Sequence, residues 1–214
     1  NGRGSNADYV VANGLVATNT TPAGGAAKYN GHMGAMQGFF VKLSDDTDTE
    51  ISFTESQRVS GNNEDGSFYR QDRPAYVRIN LTNDDGFFKQ IIIGKVIGIA
   101  ENHLDKVFDA RVFNPESASF FSIKDDQALA IQGYYTRNEI EIGYYLEDDG
   151  NYEISIESEN FAGESIYVLD QELDLLTDLN GNKYQFFGKS GKNAERFKLI
   201  MNPARLTNTS EINE

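Results

Sequence analysis

The sequence predicts an all-β fold, an antiparallel β-sandwich of jelly-roll or Ig-like type with a smaller, irregular β-rich part at its N-terminal end. Three observations carry this. Short runs rich in Ile, Val, Phe and Tyr recur along the chain with period-two alternation. Clusters of Asp, Asn, Ser and Gly punctuate them at spacings of about 8–12 residues. No stretch sustains an amphipathic helical pattern beyond about two turns.

Residues 1–36 are rich in Gly, Ala, Asn and Thr and read as loop, with one short strand over 9–15. Strand signals dominate from Gln37 onward. Phe39-Phe40-Val41-Lys42-Leu43 stops at Ser44-Asp45-Asp46, and Ile51-Ser52-Phe53 alternates. A polar turn cluster fills 60–67. Val77, Ile79 and Leu81 alternate with polar residues, and Ile91-Ile92-Ile93 favours a buried strand over a helix. Residues 119–123 and 128–133 are spaced as a hairpin across Lys124-Asp125-Asp126-Gln127. Residues 139–144 and 152–156 alternate on either side of Glu147-Asp148-Asp149-Gly150-Asn151, which reads as a hairpin turn with Asp-Gly at its centre. Residues 165–169, 183–187 and 196–200 complete the set. Residues 173–179 read as one helical turn or a crossing loop. The predicted organisation is an irregular segment (1–36), an N-terminal β part (37–74) ending where Gln71-Asp72-Arg73-Pro74 resets the chain, a β-sandwich module (75–203), and a polar tail or linker (204–214). Asn1-Gly2-Arg3-Gly4-Ser5-Asn6 reads as the interior of a longer chain.

Composition narrows the function. Hydrophobic residues make up 39% of the 214, including 14 Phe and 11 Tyr, enough for a sizeable core. Lys and Arg total 19 against 33 Asp and Glu, a net charge of −14. Such a surface repels phosphate backbones and anionic lipid, which argues against nucleic acid and direct membrane insertion. The chain has no cysteine, which excludes thiolate nucleophiles and Cys-based metal centres.

The candidate chemistry is sparse. His32 and His103 fall in separate loop-like stretches without metal-ligand spacing. Asp45-Asp46, Asp84-Asp85, Asp125-Asp126 and Glu147-Asp148-Asp149 all fall in predicted turns. A glycosidase acid needs an apolar pocket to raise its pKa, and turn tips do not supply one. No catalytic residues are therefore assigned, and no cofactor is required. Calcium is the alternative use for the acidic turns: Asp178, Asn180 and Asn182 place oxygen ligands at every second position around Gly181. Ser44-Asp45-Asp46-Thr47-Asp48 is a weaker candidate of the same kind. Tyr134-Tyr135 and Tyr144-Tyr145 put one ring on each face of a strand, and an outward ring could stack on a sugar.

Gln37-Gly38-Phe39-Phe40-Val41-Lys42 resembles the "QGFFVK" signature of large secreted surface proteins of Bacteroidetes bacteria. The similarity continues through Gln57-Arg58-Val59, Phe68-Tyr69-Arg70, 78–83, 86–90, Asp105, Asp109 and 129–133. It ends with Ile166-Tyr167-Val168-Leu169-Asp170, Tyr184-Gln185-Phe186 and Arg196-Phe197, similar to the "IYLED … DRF" close found just before a type IX secretion C-terminal sorting domain. Asn193-Ala194-Glu195-Arg196 departs from the usual Asn-Asp-Arg. The resemblance implies export, a cell-surface or extracellular location, and a structural or adhesive role, of which a part in a stalk or filament is one form. Partners would be neighbouring domains, copies of a surface protein, or extracellular glycan, the last in a carbohydrate-binding module of a polysaccharide-degrading enzyme. Arg58, Arg70, Arg78 and Arg196 recur in it beside apolar residues and read as buried or half-buried forks closing sheet edges, with Asp170 as partner of Arg196.

Overall fold

A computed structural model describes residues 10–13, 16–18, 39–41, 50, 52–58, 75–105, 107–158, 161 and 165–201. Arg70, His32, the acidic turn at 44–48, the boundary at 71–74 and the tail at 204–214 lie outside the described residues.

The described chain is almost entirely β. The strands are β1 (Ala75–Thr82), β2 (Phe88–Lys95), β3 (Ala110–Arg111), β4 (Ser119–Lys124), β5 (Gln127–Tyr134), β6 (Glu139–Leu146), β7 (Gly150–Ser158), β8 (Ile166–Asp170), β9 (Leu175–Asp178), β10 (Tyr184–Gly188) and β11 (Gly191–Met201). They form one sheet in the order β10-β7-β1-β2-β5-β4-β6-β11-β8-β9, with β3 added on β5. The sheet curls into a nearly closed barrel, so that β10, β7, β1 and β2 share a core with β6, β11 and β8. All pairs are antiparallel except β2 with β5, which run parallel and join the two halves.

Alternation builds the core. Val77, Ile79 and Leu81 of β1, Ile140 and Ile142 of β6, Ile154 of β7 and Leu199 of β11 are all fully buried in one cluster. The Ile91-Ile92-Ile93 run has a specific reason. Ile91 and Ile93 enter this core, while Ile92 enters a second cluster with Tyr76, Ile99, Phe108, Ile131 and Val16. β2 is therefore buried on both faces, as a continuous apolar run implies. Within the parallel pair, Gly94 of β2 faces Gly133 of β5. The Phe108 ring lies over both glycines, and a Cβ at Gly94 would come 2.4 Å from Phe108 Cζ.

Val16 belongs to the N-terminal segment, which is stitched onto the sheet. Ala12 and Ala17 form an isolated antiparallel bridge around Asn13, whose carboxamide donates to the Phe108 carbonyl. That bridge is the described part of the strand expected at 9–15. Phe39, Phe40, Val41 and Phe53 form no strand; Phe39 meets Phe53 edge-on and Phe40 packs on Phe113, all of them largely exposed. Aromatic and β-branched runs need a neighbouring strand to become one, and none pairs with them among the described residues.

Of three tight connections, one forms as expected and two differ. The 124–127 hairpin forms, with Asp125 and Asp126 both at positive φ (51° and 56°), as a two-residue primed turn requires. The tight turn at 147–149 also forms, but it is not a hairpin. β6 pairs with β4 and β11 whereas β7 pairs with β1 and β10, so the Asp-Gly corner carries the chain across the core. Asp149 anchors that corner by accepting the Ser190 N–H at 2.7 Å. Residues 173–179 are neither helix nor crossing loop: a turn through Asp174 (φ 50°) leads into β9, which pairs back on β8.

Candidate functional site

The curled sheet ends at β10 on one side and β9 on the other. No ladder joins these two ends among the described residues, and a buried polar cluster ties β10 to β8 and β11 instead. Asp170, fully buried at the end of β8, accepts Arg196 Nε at 3.0 Å and Nη2 at 2.8 Å. The Tyr184 hydroxyl on β10 donates to the same carboxylate oxygen at 2.6 Å. The other oxygen accepts the N–H groups of Glu172 and Leu173, which shapes the β8–β9 turn. Arg196 Nη1 donates to the Phe187 carbonyl of β10 at 3.0 Å, and its guanidinium lies about 5 Å from the ring centres of Phe186 and Phe197.

A local irregularity in β11 aims Arg196 into this cluster. The β11–β6 register shifts between Asn193 and Phe197. Asn193 Oδ1 accepts the N–H groups of Glu195 and Arg196 and holds the bulge. Burial works against the Asp170 charge, but the hydrogen bonds from Arg196 and Tyr184 win and hold its carboxyl below the usual range. Burial and the bond to Asp170 push the Tyr184 phenol up to about 12. Asp170 accepts on both oxygens, Tyr184 donates its hydroxyl to it, and each Arg196 nitrogen donates to a protein acceptor, so the cluster locks the barrel.

The four tyrosines separate by face. Tyr134 and Tyr144 are core residues, 3% and 2% exposed, and present no ring to a sugar. Tyr144 packs against Phe186 and Phe197. The other two do present themselves: Tyr135 is exposed beyond the end of β5, and Tyr145 is half-buried near the far end of β6. Nine residues, 136–144, separate them in the chain, six of these in β6, and no ring contact joins them among the described residues. Their alternation made them look like a set; burial makes two of them core.

In the candidate calcium turn, Asp178 Oδ1 accepts both the backbone N–H and the side-chain Nδ2 of Asn180, at 2.8 and 2.7 Å. The Asn180 bonds hold the Asp178 carboxyl below its ordinary pKa. Asn182 is exposed further along the loop.

The arginines divide in the same way. Arg58 closes no sheet edge among the described residues: its side chain is 80% exposed and pairs with Glu55 one helical turn away, at 3.1 Å, at the end of an exposed 3-10 turn. Arg78 is buried and donates to the Ala17 carbonyl at 2.6 Å and to Gln90 at 2.9 Å. It thereby fastens the N-terminal segment to β1 and β2.

Two further charged junctions were not singled out as sites from the sequence. Lys124 and Asp109 form an ion pair at 2.8 Å with both side chains 1% exposed. Lys124 sits in a polar Lys-Asp-Asp-Gln turn that gives no hint of burial; the only signal was Asp109 within the family resemblance. Glu101 caps the β5–β6 turn, accepting the N–H groups of Tyr135, Thr136 and Arg137 and the Thr136 hydroxyl. Burial opposes its charge, but these bonds prevail and lower its pKa from 4.5 to about 2. His103 is exposed in the same loop.

A family model described as a domain of unknown function (DUF8693) matches residues 3–201, and the chain belongs to that family. The match takes in both the N-terminal segment and the barrel. No curated protein and no solved structure matches the chain.

Proposed function

We propose that this DUF8693 domain is a non-catalytic structural or adhesive module of an exported cell-surface protein, held to neighbouring domains or copies of that protein in a stalk or filament. The observation that supports this best is the use made of its buried charge. Asp170, Arg196, Asp109 and Lys124 all sit at junctions between chain segments and spend their hydrogen bonds on the fold. A binding or reacting centre keeps some buried polar groups aimed at a ligand. The resemblance that begins at Gln37 and closes at Phe197 is what supports export and a surface location. The acidic surface of net charge −14 suits a soluble extracellular module.

The test is to tag the full-length gene product and treat intact cells with protease. Loss of the tagged domain without lysis is the expected result, and full protection overturns the surface assignment. Calcium is a subsidiary proposal for Asp178, Asn180 and Asn182. It predicts a higher unfolding midpoint in millimolar calcium than in chelator, abolished by Asp178→Ala. The alternative reading, a glycan-binding module, is favoured only by the exposure of Tyr135 and the partial exposure of Tyr145. Binding on a glycan array that is lost in Tyr135→Ala would move the assignment there.

A further inference from the structure

We propose that Lys124 and Asp109 condense to an intramolecular amide, a covalent tie between β4 and the segment leading into β3. This rests on local geometry alone and does not depend on the surface assignment. Lys124 Nζ lies 2.8 Å from Asp109 Oδ2, and both side chains are 1% exposed. A nitrogen at that distance from one carboxylate oxygen stands about 3–3.5 Å from the carboxyl carbon, the separation of a near-attack pair. The carboxyl group cannot turn away. Its Oδ1 accepts the Gly133 N–H at 2.8 Å and its Oδ2 accepts the Asp105 N–H at 2.8 Å. The amine is held from its other side by the Gly133 carbonyl at 3.4 Å.

The surroundings favour amide over ions. Two opposite charges removed from water recover their desolvation cost only in part, and an amide carries no charge to desolvate. Water, which would reverse the reaction, is kept out on the Gly133 side. A Cβ there would stand 2.1 Å from Ile99 Cδ1 and 2.9 Å from Phe108 Cδ1, so the space is already filled.

The step balances without a co-reactant. The ammonium passes one proton to Oδ2 and becomes a neutral amine. The Nζ lone pair attacks Cγ, and charge develops on Oδ1, where the Gly133 N–H already points. A second proton leaves the nitrogen for Oδ2, the Cγ–Oδ2 bond breaks, and Oδ2 departs as water. One C–N bond replaces one C–O bond, and nothing is oxidised or reduced.

The test is the intact mass of the purified protein, denatured before measurement. The expected mass is lower than that of the sequence by one water, and proteolysis yields a branched peptide joining Lys124 to Asp109. Lys124→Arg keeps a cation beside Asp109 but is a poor nucleophile, so it is expected to restore the full mass. Asp-Gly pairs such as Asp85-Gly86 and Asp149-Gly150 can also lose water by cyclising on the backbone. The same loss persisting in Lys124→Arg therefore overturns the proposal, as does a wild-type protein of full sequence mass.

Discussion

The Tyr184 hydroxyl donates to Asp170 Oδ2 at 2.6 Å, from a strand at one end of the sheet to a strand beside the other end. A curled sheet that stops short of a closing ladder leaves two edges, and edges invite slippage or pairing with other chains. Here side chains supply the closure. Arg196 reinforces it by bridging Asp170 on β8 and the Phe187 carbonyl on β10, while Phe186 and Phe197 cover its faces.

Removing one member of this cluster strands the others in a dry site. Arg196→Ala leaves the Asp170 charge uncompensated and is expected to cost about 3–5 kcal/mol, with Asp170→Ala similar. Tyr184→Phe removes one hydrogen bond to a charged group and is expected to cost about 1.5–3 kcal/mol. The Arg196→Ala/Tyr184→Phe double variant is expected to lose less than the sum, because both bonds end on one carboxylate oxygen. Urea unfolding measures all four; an unchanged midpoint in Arg196→Ala would show that the cluster contributes nothing to stability.

The pKa shifts set separate pH windows. Glu101 has a depressed folded pKa, so its contribution is present above about 4.5 and is lost as the pH falls towards 2. Tyr184 has a raised folded pKa, so its contribution is present below the phenol's ordinary 10 and is lost as the pH rises towards 12. Glu101→Gln is therefore expected to flatten the acid limb of the stability profile and leave the alkaline limb unchanged, whereas Tyr184→Phe flattens the alkaline limb and also weakens the acid limb, because the Tyr184 bond helps hold the Asp170 carboxyl low. Unfolding midpoints across both ranges check this, and an alkaline effect of Glu101→Gln or an unchanged alkaline limb in Tyr184→Phe contradicts it.

Local pattern made the strands legible, while the path of the chain between them was not. The Val77, Ile79, Leu81 alternation and the Asp125-Asp126 turn report on near neighbours, and both formed as read. The Asp149-Gly150 turn shows the limit. A tight turn looks the same whether its strands pair with each other or cross a core, and only the partners of β6 and β7 decide. The same holds for the site. The Arg196–Asp170 pairing could be anticipated because both residues sit in strands that end a recognisable motif. Tyr184 and Lys124 could not, because their burial depends on residues far away in sequence. The apolar neighbour Val59 suggests a sheet edge at Arg58, whereas the described chain there ends an exposed 3-10 turn.

The junction of the two halves offers the last prediction. Gly94 and Gly133 face each other in the parallel β2–β5 pair, and Phe108 fills the space that two side chains would take. A methyl group at Gly94 would stand 2.4 Å from Phe108 Cζ, so the ring must move, and Phe108 is 2% exposed with little room to do so. Gly94→Ala is expected to cost about 1–3 kcal/mol by overpacking. Phe108→Leu alone is expected to cost a comparable amount through a partly unfilled cavity. Combined, the smaller leucine relieves the clash and the new methyl occupies part of the void, so the double variant is expected to be clearly more stable than additivity predicts. Chemical unfolding of the two single variants and the double measures the coupling. Strict additivity would mean that Phe108 does not rest on Gly94 in solution.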